Sequence, residues 1–170
     1  MAAPTSKLQL TTEDFDKAIH TYLHIWNGDL TLVDSLFSPN LKLEVDLFPT
    51  QTGQGTNDIS PLVNTSAAFG GWVQQARSQF ETYTFTLNKW AGSGNCVAAR
   101  WTLHATIGQN FAVLPTNLKA GDPVTYNGTD FLTLDPSTGL VVEVAVAQDL
   151  LTFLDNLGNE VTFSPKATRE

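Results

Sequence analysis

Four long runs of alternating apolar and polar residues, at about 80–91, 96–107, 124–134 and 140–148, fill most of the C-terminal half of the chain. A side-chain period of two is that of strands buried on one face. Gly92-Ser93-Gly94-Asn95 joins the first pair and Asp135-Pro136-Ser137-Thr138-Gly139 the last, and both segments are rich in turn formers. The loop at 108–122 between the pairs holds Phe111-Ala112-Val113-Leu114-Pro115, unusually apolar for a connection. Such a meander predicts an antiparallel sheet.

The N-terminal half keeps a different period. Thr11 or Thr12 can cap a helix running to about Asn27, with Phe15, Ile19, Tyr22 and Trp26 on one stripe and Gly28 as its stop. Asp29 caps a short second helix buried through Leu32, Val33, Leu36 and Phe37, and Pro39 ends it. Leu41, Leu43, Val45 and Leu47 alternate with Lys42, Glu44 and Asp46 as a half-buried strand. A Gly/Thr/Asn-rich loop at 50–59 leads to Ser60-Pro61, a helix start. That third helix reaches about Ser78 and is expected to bend or break at Gly70-Gly71. Leu150, Leu151, Phe153 and Leu154 predict a closing helix ended by Gly158.

Helices followed by a meander define an α+β class, three N-terminal helices on one face of a curved antiparallel sheet. A curled sheet leaves a central pocket, a cone-shaped α+β barrel in outline. The expected organisation is a loose arm at 1–10, one domain at 11–160 and a tail at 161–170.

With 9 basic against 17 acidic residues, a net charge of −8, the chain offers no clustered cations for nucleic acid or an anionic membrane. Cys96 is the single cysteine, so no internal disulfide forms, and its apolar neighbours suit an inert core thiol. The first seven residues carry no apolar segment and no later stretch is long enough to span a bilayer, so a cytoplasmic location is expected. The sequons at Asn64 and Asn127 then read as chance matches.

Several short motifs fall in one order. They are Tyr22-Leu23-His24-Ile25-Trp26-Asn27-Gly28-Asp29, Leu36-Phe37-Ser38-Pro39, Arg100-Trp101-Thr102, Phe111 to Pro115 with Gly121, Gly128-Thr129-Asp130-Phe131-Leu132 and Gly139-Leu140-Val141-Val142-Glu143 followed by Asp149. In that order they resemble the SnoaL-like polyketide cyclases and the ketosteroid isomerases of the nuclear-transport-factor-2-like superfamily, over about residues 15–158. The resemblance implies a cofactor-free cyclase, isomerase or dehydratase of secondary metabolism. Its substrate would be an apolar, carbonyl-bearing molecule of polyketide or terpenoid type. It also implies a homodimer, for which the Thr-rich face of 80–91 is a candidate.

By the same resemblance Tyr22 and Asp130 are hydrogen-bond donors to an enolate oxygen, Asp130 being a carboxylic acid kept neutral by apolar surroundings. Asp149 matches the acid/base position of the cyclases, although an aspartate there can equally cap the last helix. His104 is a further acid/base candidate, or a sheet-surface histidine. Trp26, Trp101, Phe111, Leu114 and Arg100 are candidate substrate contacts. Ketosteroid isomerases carry their base where this chain has Val45. Limonene-epoxide hydrolases need a carboxylate where it has Thr102. His20 and His24 share a helix face without a third metal ligand, so no metal is expected, and the resemblance implies no cofactor. The competing class is a non-catalytic binding module, separated from an enzyme by whether carboxylates point into the pocket.

Overall fold

The computed structural model describes residues 9–45, 62–160 and 162. Asp46, Leu47, the loop at 50–59, the Ser60-Pro61 helix start and most of the arm and tail lie outside the described residues.

Helix α1, Thr12–Trp26, begins with a reciprocal cap at Thr11. The Asp14 amide donates to the Thr11 hydroxyl at 3.3 Å and the Thr11 amide to the Asp14 carboxylate at 2.8 Å. Phe15, Ile19, Tyr22, Leu23 and Trp26 form its buried stripe. At its end Gly28 takes φ 111°, a region that disfavours any side chain. The preceding Asn27 splices the helix onto the sheet. Its amide nitrogen donates to the Phe85 carbonyl at 3.1 Å and its oxygen accepts from the Phe85 amide at 2.7 Å.

A single 3-10 turn, Leu30–Leu32, leads into α2, Val33–Leu36, and β1, Phe37–Val45, follows without a loop. Pro39 therefore lies within a strand rather than ending the helix. Strand β1 is an edge strand with irregular pairing between Phe37 and Lys42, where a missing amide hydrogen is tolerated. Helix α3, Ser66–Arg77, starts six residues later than Ser60, because Thr65 supplies the cap with its hydroxyl accepting from the Ala68 amide at 3.1 Å. It runs unbroken through Gly70 and Gly71. Gly70 lies against Val33, where an added Cβ would be 3.4 Å from a methyl group, so its small size serves helix packing.

Strands β2 (Phe80–Ser93), β3 (Cys96–Ile107), β4 (Pro123–Leu134) and β5 (Val141–Gln148) pair antiparallel in sequence order, and α4, Leu150–Asn156, closes the chain. Strand β1 joins the far edge beside β5, giving the order β1-β5-β4-β3-β2. That last pair is parallel, with Leu43 opposite Val144 and Val45 opposite Val146. The curved, unclosed sheet is thus mixed rather than wholly antiparallel. A parallel pair needs a long crossover, and α3 with three strands provides it. No helix among the described residues is long and apolar enough to cross a membrane.

The inner face of β3 presents Val97, Ala99, Trp101, Leu103, Ala105 and Ile107 to the helices, all buried. Trp101 pairs across the ladder with Gly128, and a Cβ at Gly128 would lie 2.1 Å from the indole ring. Gly128→Ala is therefore expected to destabilise the fold by at least ~2 kcal/mol, the cost of overpacking a tight core. Gly71→Ala, at an exposed helical position with no atom within 4 Å, should instead raise stability by up to ~1 kcal/mol. Thermal unfolding of the two variants checks both signs.

Candidate functional site

A cavity of about 490 Å³ lies between the concave face of the sheet, the ends of α1 and α3, and α4. Its walls are chiefly aromatic: Trp26 and Trp72 from the helices, Phe85, Trp101 and Tyr126 from the sheet, and Phe153 from α4. These rings brace one another. Phe85 meets Trp101 at 4.6 Å between centroids, Trp26 meets Trp72 at 5.1 Å, and Tyr126 meets Phe153 at 4.4 Å. Arg77 ties α1 to β2 behind them, its guanidinium donating to the backbone carbonyls of Trp26 at 2.7 Å and Tyr83 at 2.8 Å. Gln75, Gln79, Ala112 and Val113 add a more exposed rim. There the Ala112 amide donates to the Gln79 side chain at 3.0 Å, tying the apolar loop to the end of α3.

Asp130 is the one Asp, Glu, Lys, Arg or His among the described lining residues. It is 1% exposed and accepts a 2.8 Å hydrogen bond on Oδ2 from the hydroxyl of Tyr22, which is 0% exposed. Oδ1 has no hydrogen-bond partner. Burial pushes the carboxyl up to about 7, while the Tyr22 hydroxyl and the nearby Trp101 indole favour the charged form and oppose the rise. Trp101 does not reach hydrogen-bonding geometry with the carboxyl, and its Nε1 remains unpartnered, as does that of Trp26. Desolvation and the Asp130 charge push the Tyr22 phenol well above its ordinary value, so it is a permanent donor. Tyr22 itself does not line the cavity. It holds one carboxyl oxygen of Asp130 and leaves the other without a hydrogen bond.

The other sequence candidates are placed elsewhere. Asp149 caps α4, accepting from the Thr152 amide at 3.1 Å and hydroxyl at 2.7 Å, and these bonds hold its carboxyl below the usual range. It does not line the cavity, so of its two readings the geometry is that of the cap. Arg100 and His104 alternate with Trp101 and Leu103 along β3, which puts them on the outer face of the sheet. Arg100 reaches Thr129 at 3.3 Å, and His104 is exposed beside Thr125 and Asn156. Phe111 packs edge-on against Phe80 at 5.3 Å and Leu114 against the core, while their neighbours Ala112 and Val113 face the cavity. Trp26 and Trp101 are where the sequence expects them. Val45 lines the cavity, and Glu44 points away, paired with Lys42 at 2.6 Å. His20 faces Asp16 at 3.6 Å, and the described residues hold no cluster of three potential metal ligands.

Five polar lining residues, Gln75, Gln79, Tyr83, Tyr126 and Gln148, were not among the sequence candidates. Tyr126 is four residues before Asp130 on β4 and so shares its inward face, and Gln148 ends β5 opposite Gly128. The strand period alone could have marked Tyr126.

The model of the SnoaL-like domain matches residues 19–144 of this chain. The chain belongs to the SnoaL-like family. No curated protein matches it significantly. Among solved structures, this SnoaL-like chain is similar to TsrD from Streptomyces laurentii at 18% identity and TM-score 0.69, covering 88% of this chain and 98% of that one. It is similar to IdmH, a proposed polyketide cyclase from Streptomyces antibioticus, at 22% identity and TM-score 0.66, with 85% and 98% covered. It is also similar to AclR, a proposed hydroxylase from Streptomyces galilaeus, at 18% identity and TM-score 0.65, with 92% and 87% covered. At these identities the likeness is one of fold.

The raised carboxyl of Asp130 ties stability to pH. Between about 4 and about 7 the folded protein keeps a proton that the unfolded chain has released. Stability from this group is therefore full below pH 4, falls as pH rises through that window, and is level above it. Between pH 5 and 8 wild type is expected to lose roughly 2–3 kcal/mol relative to Asp130→Asn. Urea unfolding of both proteins at the two pH values measures the difference.

Proposed function

We propose that this SnoaL-like protein is a cofactor-free enzyme in which Asp130 alone moves the proton, acting on an apolar molecule that bears a carbonyl group. The observation that carries the reading is the unpartnered Oδ1 of a buried carboxyl at the wall of an aromatic cavity, where burial pushes the group up to about 7. An acid/base group works best when its pKa lies near the working pH, since both of its forms are then populated. The carboxylate takes a proton from the carbon beside the carbonyl, and the electron pair moves onto oxygen as an enolate. The carboxylic acid so formed returns the proton to carbon or to a departing hydroxyl. Trp101, with its unpartnered indole N–H, is the neighbouring donor for the developing oxyanion. The low dielectric of the aromatic walls strengthens both interactions.

One shuttling proton suffices for ring closure, for a shift of a double bond, or for loss of water. Ring closure is favoured by the family and by IdmH, a proposed polyketide cyclase of the same fold. A polyketide- or terpenoid-type substrate suits the aromatic walls and the lack of a basic side chain among the described lining residues.

Deuterium uptake at the acidic carbon of 2-tetralone in D₂O, followed by NMR, tests the proton step without knowledge of the natural substrate. Wild type should accelerate exchange, and Asp130→Asn should lose about 10²-fold or more of that acceleration. Tyr22→Phe removes a bond that favours the charged carboxyl, so the inflection of its pH profile should move upward from about 7. Exchange at the background rate in wild type, with the ketone shown to bind, would instead support a non-catalytic binding module.

A further inference from the structure

The cavity has a second polar point that the proton chemistry does not use. Tyr126 donates its hydroxyl to Oε1 of Gln148 at 3.2 Å, and both residues line the cavity. The Gln148 side chain makes no other hydrogen bond among the described residues. A carboxamide pinned at one end by a phenol presents its other end in a fixed direction, and that end needs a partner once water is displaced. The ladder fixes where this point lies. Asp130 is opposite Val146, and Gly128 is opposite Gln148. Gln148 is thus diagonal to Asp130, one inward-facing row along and one strand across, roughly 8 Å away. Gly128 between them has no side chain, and the Trp101 ring lies across it.

We propose that Gln148, oriented by Tyr126, is a second recognition point, so that the site selects apolar molecules oxygenated at two separated positions, one at Asp130 and one at Gln148. The inference rests on the reading of Asp130 as the group that meets the substrate. It adds that an apolar ketone with a single oxygen fills the cavity poorly, because the Gln148 amide would lose its water without replacement. The bridging scaffold is flat and apolar where it passes Trp101. An ammonium is a poor alternative, since it carries no acceptor for the amide or for the free indole hydrogens.

Calorimetric titration of the full chain with three naphthalene probes tests this. 2,6-Dihydroxynaphthalene carries its hydroxyls at opposite ends, 2,3-dihydroxynaphthalene carries them side by side, and 2-naphthol has one. A hydroxyl can donate or accept, so the probes answer either orientation of the amide. The 2,6-diol should bind about tenfold more tightly than the other two, the worth of one good hydrogen bond. In Gln148→Leu, close in size, the three affinities should converge. Tyr126→Phe should narrow the gap by freeing the amide, and unchanged near-ultraviolet circular dichroism confirms that each variant keeps its packing. Three equal affinities in wild type, including no binding by any probe, would overturn the inference, as would a preference that persists in Gln148→Leu. A preserved preference for the 2,6-diol in a wild type that fails to exchange deuterium would remove the catalytic reading and leave this one standing.

Discussion

The hydrogen bond from Tyr22 to Asp130 joins the first helix to the fourth strand, across 108 residues of sequence, with both side chains buried. A buried carboxyl is costly wherever it occurs, and breaking its only strong partner would leave both oxygens unanswered. The bond therefore fixes the height of α1 over the sheet, and with it the depth of the cavity. Asn27 and Arg77 reinforce the same joint from the solvent side, through the backbone of β2 and the carbonyl of Trp26. Helix placement and carboxyl chemistry are one constraint here.

That constraint explains why the walls are aromatic. Rings fill the wedge between a helix and a curved sheet with few rotatable bonds, and their edge-to-face contacts leave the polar atoms at defined positions. Beside Asp130 the polar hydrogens are those of the Tyr22 phenol and the Trp101 indole, with no cation among the described lining residues. An arginine beside the carboxyl would have pulled it down and kept it ionised at neutral pH. Asp149 shows the opposite case. It is close enough to Arg100 to feel its charge, bonded twice to Thr152, and held ionised as a cap.

Much of this architecture is written in local pattern. Both ends of β3 coincide with the alternating run at 96–107, and α1 with its apolar stripe, because each lies between strong turn or cap residues. The start of α3 was not legible from Ser60-Pro61, since proline marks a permissible first turn and Thr65 offers a competing cap. The parallel pairing of β1 could not be read at all, because partner choice at a sheet edge is a tertiary matter. For the site, the joint occurrence of Tyr22 and Asp130 was visible. The expectation that Arg100, Trp101 and His104 share one pocket was not compatible with a period of two, and the structure sends the first and last outward. Asp149 had two readings of equal standing in sequence, and only its geometry with Thr152 separates them.

The parallel pair at the sheet edge has a consequence for biosynthesis. Leu43 leaves the ribosome long before Val144, its neighbour in the ladder, has been made. Until then one rim of the hollow has no partner strand, and the loop that must close to seat it spans about two-thirds of the domain, which makes this a slow late event. The nascent chain thus spends most of its translation with the rings of the future cavity open to solvent or to a chaperone.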